Sequence, residues 1–253
     1  MPLAKEIGAL ENSISTEKSI IMNKVFTKNN LVLRISTGLV LGTFVMVVTI
    51  LGGMYFDGFL ILSLVLSLFE FFNIIKGSEV ASISSKYAWS LIGAVYIILA
   101  IFSLHYVGKY GLFPYNIFML FFTAWIFDSA SYFVGKAIGG PKLLPGISPQ
   151  KTWAGFLGGV FFVALSPFIL TAFAPQMPVY LDHTSHTLLI SLIAIILGLI
   201  GQIGDFLESY FKRQFGVKDS GSVLPGHGGI LDRMDSLFLT APFLSLVIYL
   251  GGF

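Results

Sequence analysis

The stretch that decides the fold is a charged block between two apolar segments near the end of the chain. Residues 205–235 read DFLESYFKRQFGVKDSGSVLPGHGGILDRMD and contain nine charged side chains. The preceding segment, 187–205, and the following one, 236–253, are almost entirely apolar. Apolar segments of about 20 residues can cross the hydrocarbon core of a bilayer as helices. The pattern predicts a polar functional region held between two membrane-spanning helices.

The composition of the whole chain also indicates a membrane protein. Of the 253 residues, 55% are hydrophobic and only 11% are charged. So little charge excludes a water-soluble globular domain, a disordered chain and a nucleic-acid binder. The chain has no cysteine, which excludes disulfides, thiolate metal sites and cysteine nucleophiles. We predict an all-α, polytopic protein in a lipid bilayer, with no nucleic-acid partner.

Seven apolar runs are long enough to span a bilayer. They are 33–52, 54–75, 87–107, 112–135, 152–173, 187–205 and 236–253. Half-helices within 136–151 or 206–235 would raise the predicted number to nine. Residues 32–253 are predicted to form a single transmembrane catalytic domain. Residues 1–31 are polar and lack a signal-peptide pattern, so we expect a cytoplasmic tail that can include an interfacial helix.

The basic residues orient these runs. If seven spans alternate, the loops that contain most of the lysine and arginine lie on one face. The positive-inside rule makes that face cytoplasmic, with the amino terminus inside and the carboxyl terminus outside. The charged block, 205–235, is then cytoplasmic.

Three acidic residues fall inside the predicted spans, each towards the cytoplasmic end: Glu70, Asp128 and Asp205. A carboxylate at membrane depth is costly unless it is paired, hydrated or bound to a metal, so each is a functional candidate. All three could share one water-accessible cavity. The alternative is that Glu70 and Asp128 extend to the interface or pair with a nearby lysine.

The charged block combines side chains that suit a metal and phosphates. In a helix, Asp205, Ser209 and Lys212 lie on one face. The loop that follows contains Gly226, Gly228 and Gly229, whose backbone can approach an anion closely. A helix is expected to begin near Ile230, with Asp232 and Asp235 on one face of its first turns, and carboxylates of this kind suit Mg²⁺.

Two residues of the block are open to different interpretations. His227 lies between glycines and could donate to a phosphate or act as a general acid. We assign no role to His105, His183 or His186. Glu208 is interpreted as an ordinary exposed partner of Lys212 one helical turn away.

A second loop precedes the fifth span and reads Ser148-Pro149-Gln150-Lys151-Thr152. Serine followed by proline is typical of a helix start, so Ser148 is predicted to be an N-cap. Lys151 and Thr152 could then clamp a phosphate. The simpler alternative is a cap with an orienting lysine.

Twenty-seven residues of the block form one long pattern: Ser209-x-Phe211-Lys212-Arg213-x4-Lys218-Asp219-x-Gly221-x2-Leu224-Pro225-x-His227-Gly228-Gly229-Ile230-x-Asp232-Arg233-Met234-Asp235. It resembles, without a departure, the signature of the phosphatidate cytidylyltransferases, or CDP-diacylglycerol synthases. The segments Ser148-Pro149-x-Lys151-Thr152-Trp153-x-Gly155 and Asp128-x3-Tyr132-x2-Gly135 also resemble family segments. Residue 154 is alanine where many members have glutamate, and it is assigned no role.

The resemblance implies a multi-spanning, homodimeric enzyme of the inner (plasma) membrane that makes CDP-diacylglycerol and pyrophosphate from CTP and phosphatidate. It also implies Mg²⁺, with K⁺ as a candidate second cation. Asp205 and Asp232 are then the best metal-bridging pair, with Asp219 and Asp235 close by. Phosphate-binding roles are expected for the basic residues of the block: Lys212, Arg213, Lys218 and Arg233.

The expected chemistry is in-line attack of the lipid phosphate on the α-phosphorus of CTP, with the lipid entering between helices near Asp128. Metal ions, cations and backbone N–H groups would stabilise the charge that develops. One alternative is a CTP-dependent polyprenol or lipid kinase, which would transfer the γ-phosphoryl group. Another is an ion-coupled transporter, which suits intramembrane acids but usually has an inverted repeat.

Overall fold

The structure is a computed structural model that describes residue 33 and residues 36–173, 184–221, 223–224 and 228–251. Within these residues the chain forms seven helices and one small antiparallel sheet. The helices are α1 (Ser36–Leu51), α2 (Gly53–Gly77), α3 (Ile83–Tyr110), α4 (Tyr115–Ile138), α5 (Trp153–Phe173), α6 (Thr184–Gln214) and α7 (Leu231–Tyr249). The strands are β1 (Lys142–Leu144) and β2 (Ser148–Thr152). The predicted tail, 1–31, lies outside the described residues.

The all-α membrane prediction is confirmed, because each of the seven apolar runs coincides with one of the helices. Four helical segments are long and apolar enough to cross a bilayer, namely α2, α3, α4 and the Thr187–Gln214 part of α6. Two shorter apolar helical segments are Ser36–Leu51 and Trp153–Ile169. The number of spans, seven to nine, stays a prediction, and so does the topology derived from it.

Two local predictions about the loops are wrong. Residues 136–151 do not contain a half-helix, because an antiparallel hairpin pairs Lys142 with Thr152 and Leu144 with Ser148. Ser148 is therefore in a strand and not an N-cap. The cap of α5 is Thr152, whose Oγ1 accepts a hydrogen bond from the backbone N–H of Gly155 at 3.1 Å. Helix α6 also continues past Asp205 to Gln214 without a break.

A turn at Gly52-Gly53 joins α1 to α2. Both glycines have positive φ, 61° at Gly52 and 49° at Gly53, a region that other residues enter only at a cost. Their surroundings differ. A methyl group on Gly52 would lie 2.8 Å from Cε1 of Phe113, whereas one on Gly53 would have no heavy atom within 4 Å.

Because of this difference, Gly52→Ala is expected to destabilise the protein more than Gly53→Ala. Both substitutions carry the cost of a left-handed alanine, about 1 kcal/mol, but only Gly52→Ala also displaces the Phe113 ring. Thermal unfolding of the two variants in the same detergent checks the order. Equal melting temperatures would show that Phe113 does not pack against the turn.

The large apolar core is built mostly from α2, α3 and α7, with further residues from α1, α4 and α6. Aromatic rings hold the end of α6 against it: the rings of Phe71 and Phe211 stack at 4.6 Å, and Trp89 packs against Phe211 at 5.4 Å. Aromatic contacts of this kind add to the stabilisation from apolar burial. They fix the last turns of α6, which contain Glu208 and Lys212.

Close helix contacts bring the polar residues of α4, α5, α6 and α7 to one end of the bundle. A methyl group on Gly204 of α6 would lie 2.6 Å from the backbone oxygen of Asp235 in α7. One on Gly155 of α5 would lie 2.5 Å from the backbone oxygen of Ser131 in α4. Small residues permit this approach of helix backbones in membrane proteins. The charged ends of the four helices therefore meet.

Candidate active site

A cleft of about 1020 Å³ opens at this end of the bundle, between α1, α4, the hairpin, the start of α5, α6 and α7. It gathers predicted site residues from three separate parts of the sequence. Those that line it are Asp128, Ser148, Lys151, Thr152, Asp205, Asp232, Arg233 and Asp235. Residues of the charged block and of the Ser148–Thr152 segment therefore face one cavity.

Lys151 and Asp205 form an ion pair across the cleft, from β2 to α6. Gln202 also donates to Asp205, from its Nε2 to Oδ2 at 3.0 Å. Burial lowers the pKa of Lys151 below its usual value, and the carboxylates of Asp128 and Asp235 oppose this shift. An ammonium group has three donors, so Lys151 can contact phosphate oxygens as well as Asp205.

Asp232 is held by donors on both of its oxygens. Lys212 donates to Oδ1 at 2.6 Å, and the backbone N–H of Gly229 donates to Oδ2 at 2.9 Å. The backbone N–H of Ser220 also donates to Oδ2, at 3.0 Å. Charge-assisted hydrogen bonds such as these are stronger than neutral ones. Asp232 therefore has a fixed orientation at the edge of the cleft.

The interpretation of Glu208 as an exposed residue is wrong. Its pairing with Lys212 is present, at 3.3 Å, but the side chains of Lys212 and Glu208 are only 11% and 7% exposed. Both oxygens of Glu208 are buried and accept no hydrogen bond within the part of the chain that the structure describes. Glu208 also interacts electrostatically with Asp235. Its position three residues after Asp205, and so on nearly the same helix face, was the signal that could have identified it.

Asp128 and Asp205 share the cleft as predicted, but Glu70 does not. Glu70 is 2% exposed and does not line the cleft. It is buried rather than extended to the interface, and among the described residues it pairs with no lysine; its oxygens accept hydrogen bonds from Ser220, Ile230 and Leu231. Both alternatives considered for Glu70 are thus replaced by a third arrangement.

Several predicted residues lie away from the cleft lining. Arg213 donates from Nη1 to the backbone oxygen of Val217 at 3.0 Å, and Lys218 and Asp219 are exposed. The predicted site residues of the block that do not line the cleft are Ser209, Lys212, Arg213, Lys218, Asp219, Gly228 and Gly229. Gly226 and His227 lie outside the described residues, so their predicted roles stay predictions.

Gly228 and Gly229 lie close to anionic groups, but these are carboxylates of the protein itself. A methyl group on Gly228, where φ is +80°, would lie 2.6 Å from Oδ2 of Asp232. One on Gly229 would lie 2.3 Å from Oε2 of Glu70. Their lack of a side chain thus lets the backbone pack against two carboxylates.

Other lining residues escaped the sequence prediction. Gln202 was not identified, although a glutamine three residues before an acid in an apolar span is a usable signal. Lys136, Lys142 and Gln150 also line the cleft. The two lysines belong to the basic loop residues that were expected only to orient the spans. With Lys151 and Arg233 they give the cleft four cationic side chains.

The donor set of the cleft suits a divalent cation that is bound partly by substrate. Among the described residues, no three acidic or histidine side chains form a ready ligand group. Carboxylates of Asp205, Asp232 and Asp235 nevertheless line one cavity, and the oxygens of Glu208 accept no hydrogen bond from the part of the chain that the structure describes. Mg²⁺ characteristically takes one or two carboxylates and completes its coordination with water and phosphate.

Known proteins resemble this chain over most of its length. A model described as the cytidylyltransferase family matches residues 78–250. A phosphatidate cytidylyltransferase of Rickettsia bellii is 34% identical over 221 residues, which cover 87% of this chain and 91% of the relative.

Two further relatives have the same name. The phosphatidate cytidylyltransferase of Staphylococcus aureus is 39% identical over 176 residues, 66% of this chain and 64% of the relative. That of Staphylococcus epidermidis is 38% identical over 175 residues, again 66% and 64%. The chain thus spans just under two thirds of the length of the staphylococcal proteins. The family model covers the charged residues of the cleft, from Asp128 to Asp235, and the chain belongs to the cytidylyltransferase family.

Proposed function

We propose that this protein is a phosphatidate cytidylyltransferase, which converts CTP and phosphatidate to CDP-diacylglycerol and pyrophosphate in phospholipid biosynthesis. The observation that carries the proposal is a single cleft with two chemically different parts of its lining. The charged wall contains four cationic side chains and four acidic ones, among them Asp128 and Lys136 of α4. The apolar wall is formed mainly by α1 and by the Phe121–Trp125 part of α4. The names of the relatives support the same reaction.

The apolar wall suits a lipid substrate. It is formed by residues of α1, such as Leu39 and Met46, and of α4, such as Phe121 and Trp125. Leu39, Met46 and Trp125 are also exposed on the helix surfaces, where lipid tails would contact them. A lipid between α1 and α4 could thus keep its acyl chains in the bilayer while its phosphate reaches the charged wall.

The charged wall suits polyanionic substrates. An oxygen of the phosphatidate phosphate would attack the α-phosphorus of CTP, the bond between that phosphorus and the α–β bridging oxygen would break, and pyrophosphate would leave. The nucleophile is already an anion, so the reaction needs no strong general base. Lys151 and Arg233 are placed to stabilise the charge that develops on the phosphates.

We also propose that Mg²⁺ is required and is held by Asp205, Asp232 and Asp235, with Asp219 and a second cation such as K⁺ as further candidates from the resemblance. When bound, the metal would neutralise phosphate charge and polarise the α-phosphoryl group. The acidic residues of the chain contribute oxygen ligands, and Lys212 and the Gly229 N–H orient Asp232.

The proposed location is the inner (plasma) membrane, with the cleft facing the cytoplasm, where CTP is made. The uneven distribution of lysine and arginine supports this orientation. A homodimer is proposed from the resemblance alone.

The decisive assay uses purified protein in detergent with phosphatidate, Mg²⁺ and CTP labelled at either the α- or the γ-phosphorus. We expect the α-label to enter the lipid and the γ-label to be released as pyrophosphate, only when phosphatidate is present. A kinase would put the γ-label into the lipid. A transporter would release no pyrophosphate, and either result would overturn the proposal.

A further inference from the structure

Glu70 connects the second helix to the beginning of the last one. It lies on α2, 150 residues or more from its partners in sequence, and is 2% exposed. Its Oε1 accepts from the backbone N–H of Ile230 at 3.1 Å, and its Oε2 accepts from that of Leu231 at 2.9 Å. The hydroxyl of Ser220 also donates to Oε2, at 3.1 Å.

This arrangement replaces an ordinary helix cap. The first N–H groups of a helix have no partner within the helix, and an anion near them is favourable. The residue at the cap position of α7, Ile230, has no side chain that can accept a hydrogen bond. The Glu70 carboxylate supplies the missing acceptor from another helix. In return, the donors satisfy a charge that would otherwise be buried without compensation.

The same short segments also hold Asp232. Ser220 donates with its hydroxyl to Glu70 and with its backbone N–H to Asp232. In the next segment, the N–H of Gly229 donates to Asp232 while the N–H groups of Ile230 and Leu231 donate to Glu70. Glu70 and Asp232 therefore hold the same two segments, Ser220 and Gly229–Leu231, and this arrangement is called the clamp below. Movement of one carboxylate would move the donors of the other.

The glycines beside Glu70 show how closely the clamp fits. A methyl group on Gly221 would lie 2.8 Å from Oε1 of Glu70, and one on Gly229 would lie 2.0 Å from the hydroxyl oxygen of Ser220. Neither residue could carry a side chain with the carboxylate in place. This packing gives these two glycines a role that is independent of any substrate.

We propose that Glu70 is a positioning residue that fixes the start of α7 and Ser220, and thereby the orientation of Asp232 in the cleft. Its own side chain does not line the cleft, so it acts through Ser220 and through the backbone of Ile230 and Leu231. The consequence for turnover rests on the proposed cytidylyl transfer, whereas the anchoring of the loop does not.

The test compares Glu70→Gln, which keeps the shape and one acceptor, with Glu70→Met, which keeps the length and has no comparable acceptor. We expect kcat to fall about tenfold in Glu70→Gln and about a hundredfold in Glu70→Met, with KM for CTP changed less than about threefold. The matched control is Ser67→Ala on the same helix, since the Ser67 hydroxyl is buried and accepts or donates no hydrogen bond within the described residues. If Glu70 only filled space among apolar helices, Glu70→Met would turn over as fast as the wild type.

Amide hydrogen exchange of residues 228–235 provides a readout that does not require activity. Exchange at Ile230 and Leu231 is expected to accelerate at least tenfold in Glu70→Met and to be unchanged in Ser67→Ala. If Glu70→Met does not fold, Ser220→Ala serves instead, with a threefold or larger increase in exchange and a smaller loss of kcat. Unchanged exchange in the folded variants would overturn the inference, whereas a wild type without cytidylyl transfer would overturn only the proposed function.

Discussion

Asp232→Asn is expected to lower cytidylyl transfer by roughly a thousandfold while the protein stays folded. Removal of one preorganised electrostatic group typically costs a hundredfold to a thousandfold in rate, and Asp232 would also lose its charge as a metal ligand. The fold should survive because the asparagine oxygen can still accept from Gly229 and because Lys212 keeps Glu208 as a partner. The α-labelled CTP assay and a melting curve measure the two effects separately.

The matched control for this substitution is Asp57→Asn. Oδ1 of Asp57 lies 2.8 Å from Nδ1 of His105, near the amino-terminal end of α2. Glu70 and the segments it holds lie near the other end of that helix. Its substitution removes the same charge without touching the cleft, so activity should stay within about twofold of wild type. Near-normal activity of Asp232→Asn would show that Asp232 does not act at the reacting phosphates.

The helices were predictable because membrane burial leaves a strong compositional signal. The start of α7 was expected near Ile230 and is observed at Leu231, since glycine, aspartate and the apolar run mark it clearly. The end of α6 was missed by nine residues, because the prediction used apolarity alone. Phe211, and Phe215 just after the end of the helix, are buried in the core, and this burial favours helix beyond the apolar run.

The hairpin could not be distinguished from a helix start by local sequence. Ser148-Pro149 fits the first residues of a helix, but a residue before proline also favours extended backbone. The pairing with Lys142–Leu144 decides between the two, and it depends on contacts that lie outside the dipeptide. The N-cap of α5 is instead Thr152, four residues after Ser148.

The composition of the site was predictable, but its internal pairing was not. The acids and bases of the charged block could be identified from their spacing and from the family signature. That Lys151 pairs with Asp205, and that Glu70 holds Ile230, depends on helix packing across more than 50 and 150 residues of sequence. Periodicity within one element carries no information about such partners.

Lys212→Met is expected to cause the largest combined loss of stability and activity. Among the described residues, Lys212 is the only cation paired with Glu208 and with Asp232. Without it, two buried or half-buried carboxylates face each other with no counter-charge. Removal of one partner from a buried ion pair typically costs about 3–5 kcal/mol. Activity should fall about a hundredfold, because Asp232 loses its shortest hydrogen bond.

A second substitution separates the two effects. Glu208→Gln added to Lys212→Met removes one of the two unpaired charges, and Asp232 keeps its backbone donors, so the double variant should regain most of the lost melting temperature. Its activity should not return, because Asp232 still lacks the ammonium group that orients it. Lys109→Met, at an exposed lysine of α3 that contacts the Tyr110 ring, controls for the loss of a lysine elsewhere.

The single and double variants distinguish two roles of Lys212, binding of substrate phosphate and pairing with Glu208 and Asp232. If Lys212 bound only substrate phosphate, Lys212→Met would melt like the wild type and Glu208→Gln would not change its stability. The short contact to Asp232 and the low exposure of the ammonium group instead place its charge between two acids of the protein. We therefore expect stability to depend on Lys212 and Glu208 together, in a double-mutant cycle with a coupling of at least about 1 kcal/mol.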